Sequence, residues 1–196
     1  MGVLSSFAND LPLIGAVLVA TIIFFSIAVL FIAIPPQLRD ALRDEIERMK
    51  SVISSSSLGE LVIAIFINNA RANTMLAIPI LNIIVYPSML LSTAWALRID
   101  VEMQLTSIGM GGVDLFTALA AALATLFILP HTYIEFLSYS ITFVASSKLM
   151  IYMFKRNIDK ERVKYYLFLV AVSMAILFIA ALIEGLEGEL LIGVSS

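Results

Sequence analysis

Long stretches of this chain carry no charge, and their lengths limit what it can fold into. No Asp, Glu, Lys or Arg lies between Asp10 and Arg39, between Arg71 and Arg98, between Asp114 and Glu135, or between Lys164 and Glu184. A helix needs ~20 apolar residues to cross ~30 Å of hydrocarbon. The runs are continuously apolar and do not alternate, which excludes the strands of a lipid-embedded barrel. A helix also satisfies its own backbone where no water is present. Spans are therefore expected over 11–34, 59–77, 80–98, 113–130, 131–150 and 164–184, the fourth being short. Composition agrees: the 196 residues are 61% hydrophobic and 14% charged, against about 25% charged for a soluble domain. The expected fold is an all-α transmembrane helical bundle, a single integral membrane domain over 1–196 with six spans.

The basic residues are expected to orient it. Arg39, Arg43, Arg48 and Lys50 follow the first span, and Arg98 closes the third. Lys148, Lys155, Arg156, Lys160, Arg162 and Lys164 lie around the connection between the fifth and sixth. With six spans these regions share one face, which the positive-inside rule makes cytoplasmic. Eleven of the twelve basic residues would then be inside, with both termini outside and the protein multi-pass in the plasma membrane. The N-terminus has no basic region and its apolar run is too long for a secretory signal. Met1-Gly2 and Ser6 fit the loose myristoylation pattern, which the orientation argues against.

Two connections have readable structure. After Pro35-Pro36, Leu38, Leu42, Ile46, Met49 and Ile53 recur at helical spacing, predicting an amphipathic cytoplasmic helix over 37–54. It would lie on the membrane, grip a partner, or rest on the protein's own inner face. Arg43–Glu47 and Asp44–Arg48 are spaced to pair on its polar side. Ser57-Leu58-Gly59-Glu60 reads as a capping box for the second span. Gly109-Met110-Gly111-Gly112 reads as a turn; it lacks the Lys-Ser/Thr ending of a phosphate loop.

The exceptions to apolarity mark the candidate site. Asn68, Asn69, Arg71 and Asn73 interrupt the second span, and His131 and Glu135 open the fifth one helical turn apart. At 1.5 Å per residue Arg71 and Glu135 have matching depths. The expectation is an intramembrane cluster with Arg71 paired to Glu135, and His131 and the amides nearby. Below it, Ser138, Thr142 and Ala145 continue the same face of the fifth span. That face is either a hydrated track or a close-packing surface of small and hydroxyl residues. The fourth span has a similar face in Ala118, Ala121, Ala122 and Thr125.

Catalysis is hard to build from these parts. With no Cys and one His, the chain has no disulfide, no thiolate ligand, no cysteine nucleophile and no two-His zinc motif. His131 and Glu135 are two ligands where metals take three or four. Ser138 lies ~10 Å along the helix from His131, beyond hydrogen-bond reach. The expectation is a non-enzymatic protein without cofactor or metal. The scattered basic residues give no nucleic-acid surface. Its partners would be the lipid bilayer and other membrane or envelope proteins, and a homo-oligomer is compatible.

Phe66-Ile67-Asn68-Asn69, two close apolar spans, then Leu129-Pro130-His131 with Glu135 four residues after the His resemble the stage II sporulation protein M family over residues 58–150. The chain departs from the family in having Thr132 where a Gly follows the His. The Asn-Gly pair of the third span is also missing, with Asn82 and Tyr86-Pro87 in its neighbourhood. Asn68, Asn69, His131 and Glu135 are the positions that carry over. The resemblance implies a polytopic membrane protein that acts in a complex remodelling the cell wall, with hydrolases supplied by partners. The leading expectation is a membrane scaffold or assembly factor. The alternative is a small transporter or channel subunit using Arg71, His131 and Glu135.

Overall fold

The computed structural model describes residues 3–109 and 115–194. Their regular structure is entirely helical: α1 (Val3–Phe31), α2 (Pro36–Ser55), α3 (Leu58–Ala77), α4 (Asn82–Ser107), α5 (Leu115–Ile128), α6 (Pro130–Phe154) and α7 (Lys160–Val194). Among the described residues, three helices are long and apolar enough to cross a membrane, over Ser5–Phe31, Pro130–Phe154 and Lys160–Gly188. Isoleucine and phenylalanine side chains such as Ile23, Ile27, Phe31, Ile63, Ile84, Phe154 and Phe178 point outward from the bundle, the lipid-facing pattern of a membrane protein.

Helix ends follow local chemistry. Pro36 starts α2, where its missing N–H is no loss. At α3 the expected capping box is present: the Glu60 carboxylate accepts the Ser57 backbone N–H at 2.9 Å and the Ser57 hydroxyl at 2.8 Å. Beyond the end of α1 the Ile32 carbonyl accepts Arg98 Nη1 at 2.8 Å. A cation there suits the negative end of a helix. The Gly turn lies largely outside the described residues; within them Gly109 has φ +81°, a left-handed conformation that glycine adopts freely.

Contacts set the helix directions. Phe25 packs on Phe136, and Asp10 pairs with Lys148, so α1 and α6 are antiparallel. The Thr21 and Tyr86 hydroxyls meet at 2.5 Å while Arg98 reaches Ile32, so α1 and α4 are parallel. Tyr166 bonds the Ala77 carbonyl, Asn73 meets Ser173 and Phe66 meets Phe178, so α3 and α7 are antiparallel. The bundle thus has an Asp10 end, with the α3–α4 turn and the α6–α7 connection. Its His131 end holds α2, the start of α3 and the ends of α1, α4 and α7.

This order overturns the expected placement of charges. Arg39, Arg43, Arg48, Lys50 and Arg98 belong to the His131 end, whereas Lys148 through Lys164 belong to the Asp10 end. The start of α1 and the end of α7 are likewise at opposite ends. The cause is α5. Its 14 residues make ~21 Å of helix, short of a membrane crossing, and it links the end of α4 to the start of α6 at one end of the bundle. Its buried Ala122 joins Val101 of α4, Phe25 of α1 and Phe136 of α6 in one core cluster. Of the small face expected here, Ala118 and Thr125 have side chains outside the described set.

α4 also differs from expectation, since Arg98 does not end it. The helix runs nine residues further and holds α2 there. Arg39 pairs with Glu102 at 3.0 Å and Lys50 with Asp100 at 2.6 Å. Residues eleven apart on α2 meet residues two apart on α4, so α2 crosses the projecting end of α4 and does not run along it. Within α2, Arg48 pairs with Glu45 at 2.5 Å, and not with Asp44 as the spacing predicts. That hydrogen bond and the charge of Glu45 hold the Arg48 guanidinium above its ordinary pKa.

Candidate functional site: a polar seam between α3, α6 and α7

The cluster residues divide between the bundle interior and its outer surface. Asn69 Nδ2 donates to Glu135 Oε1, tying α3 to α6. His131 Nδ1 meets Glu187 Oε2 of α7 at 2.5 Å, with both side chains largely buried. One to two turns deeper, Ser173 Oγ of α7 is a hub. It accepts Asn73 Nδ2 at 2.7 Å and Thr142 Oγ1 at 2.6 Å, and lies 2.9 Å from Ser138 Oγ. Asn73, Ser138, Thr142 and Ser173 are fully buried. Ser138 and Thr142, one face of the expected stripe, therefore pack on α7 through hydrogen bonds.

The seam continues to the Asp10 end. Asn82 Nδ2 donates to Ser147 Oγ at 2.7 Å, and Tyr86 bridges Thr21 and Ser140 at 2.5 and 3.2 Å. The Asp10 carboxylate takes both Lys148 Nζ and the Tyr165 hydroxyl, the latter at 2.9 Å. Two amide oxygens on the seam, Asn73 Oδ1 and Asn82 Oδ1, are buried and accept no hydrogen bond among the described residues.

Arg71 is where structure and expectation part. It is exposed on α3 and has no ion pair among the described residues; the partner of Glu135 is Asn69. The physical reason is helical phase. Residues two apart on a helix point about 200° apart, so Asn69 facing α6 turns Arg71 outward. Asn68 is exposed as well, while Asn73, four residues after Asn69, is fully buried. Matched depth was legible in the sequence, but matched depth does not make two side chains face each other. Glu187, Ser173, Asn82 and Asp10 were missed. Glu187 lies past the expected end of the last span, and single Ser and Asn residues in apolar runs carry no motif. The spacing of Glu184 and Glu187, one turn apart beside Gly185 and Gly188, was the available signal.

Gly185 has its own role. A Cβ there would lie 2.6 Å from Val62 Cγ2 and 3.4 Å from Leu58 Cδ1, so α7 and α3 pack close at this point. An apolar groove of about 310 Å³ opens between α1 and α4, lined by Val17, Thr21, Phe24, Ile83, Tyr86 and Pro87 among others. Its lining includes neither His131 nor Glu135. No group of three or more His, Asp or Glu among the described residues could hold a metal ion.

The arrangement can lock five helices in one register, because each polar pair has its partner on another helix. Were α3 to cross a bilayer, an outward Arg71 would cost about 2.5–3.5 kcal/mol on insertion scales, and the described part of the bundle supplies no partner for it. Comparison with known proteins adds nothing to this geometry: no family model, no curated protein and no solved structure matches the chain.

Proposed function

We propose that the chain is a membrane scaffold: a rigid helical platform that binds another membrane protein. In this reading α1, α3, α4, α6 and α7 cross the bilayer, α5 folds back at the His131 end, and α2 lies across the membrane surface there. The observation that carries it is the sorting of polar groups. Asn69, Asn73, His131, Glu135, Ser138 and Thr142 find partners inside the bundle, while Arg71 faces out without one among the described residues. Interior pairs of this kind fix helix register more than they add stability. The resemblance to stage II sporulation protein M, with its role in a membrane complex, points the same way.

The test is cross-linking in the native membrane, made clean by the absence of Cys. Cysteines at positions 68 and 74 are expected to trap one membrane protein, identified by mass spectrometry, that cysteines at the exposed positions 23 of α1 and 84 of α4 do not. Equal trapping at all four positions, or none at 68 and 74, would overturn the reading.

A second reading, proton or cation transport, draws on the continuity of the seam and its two unpartnered amide oxygens. Intramembrane His and Glu are the groups that relays use. Proteoliposomes would then show proton flux that Glu135→Gln abolishes. Flux equal to empty vesicles would end that alternative.

A further inference from the structure

We infer that the outer face of α3 docks a transmembrane helix of a partner protein that carries an Asp or Glu at the depth of Arg71. This rests on the scaffold reading and adds the chemistry of the partner. The depth follows from the packing. Arg71 is two residues past Asn69, which bonds Glu135, and α3 runs parallel to α6 because both are antiparallel to α7. Glu135 is four residues from the His131–Glu187 pair and thirteen from Lys148, which pairs with Asp10. At 1.5 Å per residue Arg71 sits ~9 Å inside one polar boundary and ~16 Å inside the other.

Around it the exposed face is mixed. Asn68 and Thr74 flank Arg71 at helical steps of three, with Ile63, Ile67 and Met75 also exposed. Thr74 satisfies itself on the Ala70 carbonyl at 2.7 Å, whereas Arg71 and Asn68 make no hydrogen bond or ion pair among the described residues. A guanidinium presents a planar fork of donors that matches a carboxylate. In hydrocarbon that charge complementarity is the strongest recognition this face offers.

A second copy of this chain does not supply the match. A symmetric contact through α3 would set Arg71 against Arg71. The acids of the chain nearest in depth, Glu135 and Glu184, are not exposed, and Glu135 is already bonded by Asn69.

The test places the full chain in phosphatidylcholine vesicles, labelled at a cysteine replacing Lys160. Energy transfer is measured to polyleucine transmembrane peptides bearing one Glu, one Gln or no polar residue at the matching depth. The Glu peptide is expected to bind about tenfold more tightly than the other two. Arg71→Gln should erase that preference and Arg71→Lys should keep part of it, with helical content unchanged in both because the side chain is exposed. Equal binding of Glu and Gln peptides, or a preference that survives Arg71→Gln, overturns the proposal. So does competition in which added phosphatidylglycerol displaces the Glu peptide through Arg71, which would make this face a lipid site. A cysteine at position 71 that reacts freely with a water-soluble thiol reagent would instead show that α3 is outside the membrane, and the scaffold reading would fail with it.

Discussion

At the scale of single residues, Ser173 has the most to lose. Its hydroxyl serves Asn73, Ser138 and Thr142, all buried where water cannot replace it. Hydrogen bonds between membrane helices average ~0.6 kcal/mol, with an upper range near ~1.7. Because three share this oxygen, Ser173→Ala is expected to destabilise by about 2 kcal/mol in detergent unfolding. Ser26→Ala should change little, since that hydroxyl bonds only the Ile22 carbonyl of its own helix. Gly185 is a steric counterpart. Its Cβ would press on the stiff branched side chain of Val62, so Gly185→Ala should cost about 1–3 kcal/mol. Adding Val62→Ala should recover most of that. Gly188→Ala meets only ordinary contact with Leu61, at 3.5 Å, and should be near neutral. The same scale shows how far sequence reasoning reached. Asn69, Asn73, His131 and Glu135 stand out because polar groups in apolar runs are rare, and each does have a partner. Which partner depends on helix phase between segments, and that is absent from any local pattern.

At the scale of elements, α2 and α4 form a unit at the His131 end. The amphipathic stripe foretold α2, but its perch could not be read, because nothing in the run up to Arg98 signals that α4 continues to Ser107. Arg39–Glu102 and Lys50–Asp100 are partly exposed, and such pairs contribute ~0.2–1 kcal/mol each. The double substitution Arg39→Gln with Lys50→Gln is therefore expected to speed hydrogen exchange of α2 amides by about tenfold or less and to leave the unfolding midpoint of the bundle nearly unchanged. A comparable drop in the midpoint would show that α2 is part of the core. High salt should mimic the double variant, since exposed pairs are screened. α5 is the other element that departs from expectation. Its composition is that of a span, but it has 14 residues and joins helix ends that lie at the same end of the bundle.

At the scale of the whole molecule, the decisive prediction concerns sidedness. In sealed vesicles, a cysteine at Leu38 and one at Lys160 should react with a membrane-impermeant reagent from opposite faces, because α2 and the α6–α7 connection lie at opposite ends of the bundle. Reaction from the same face would restore the six-span order and sink the fold-back of α5. Five basic residues then mark one end and six the other, so the positive-inside rule has little bias to act on. The sequence by itself determined the class, an all-helical membrane protein, because transfer of apolar runs out of water depends on composition and length alone. It also determined where most helices lie and which side chains are out of place in lipid. Only the tertiary structure decided how many polar groups are satisfied, by whom, and on which end each loop emerges. Those depend on the direction and rotation of packed helices, which are set by contacts between residues as far apart as Asp10 and Lys148, and no segment of the chain encodes them alone.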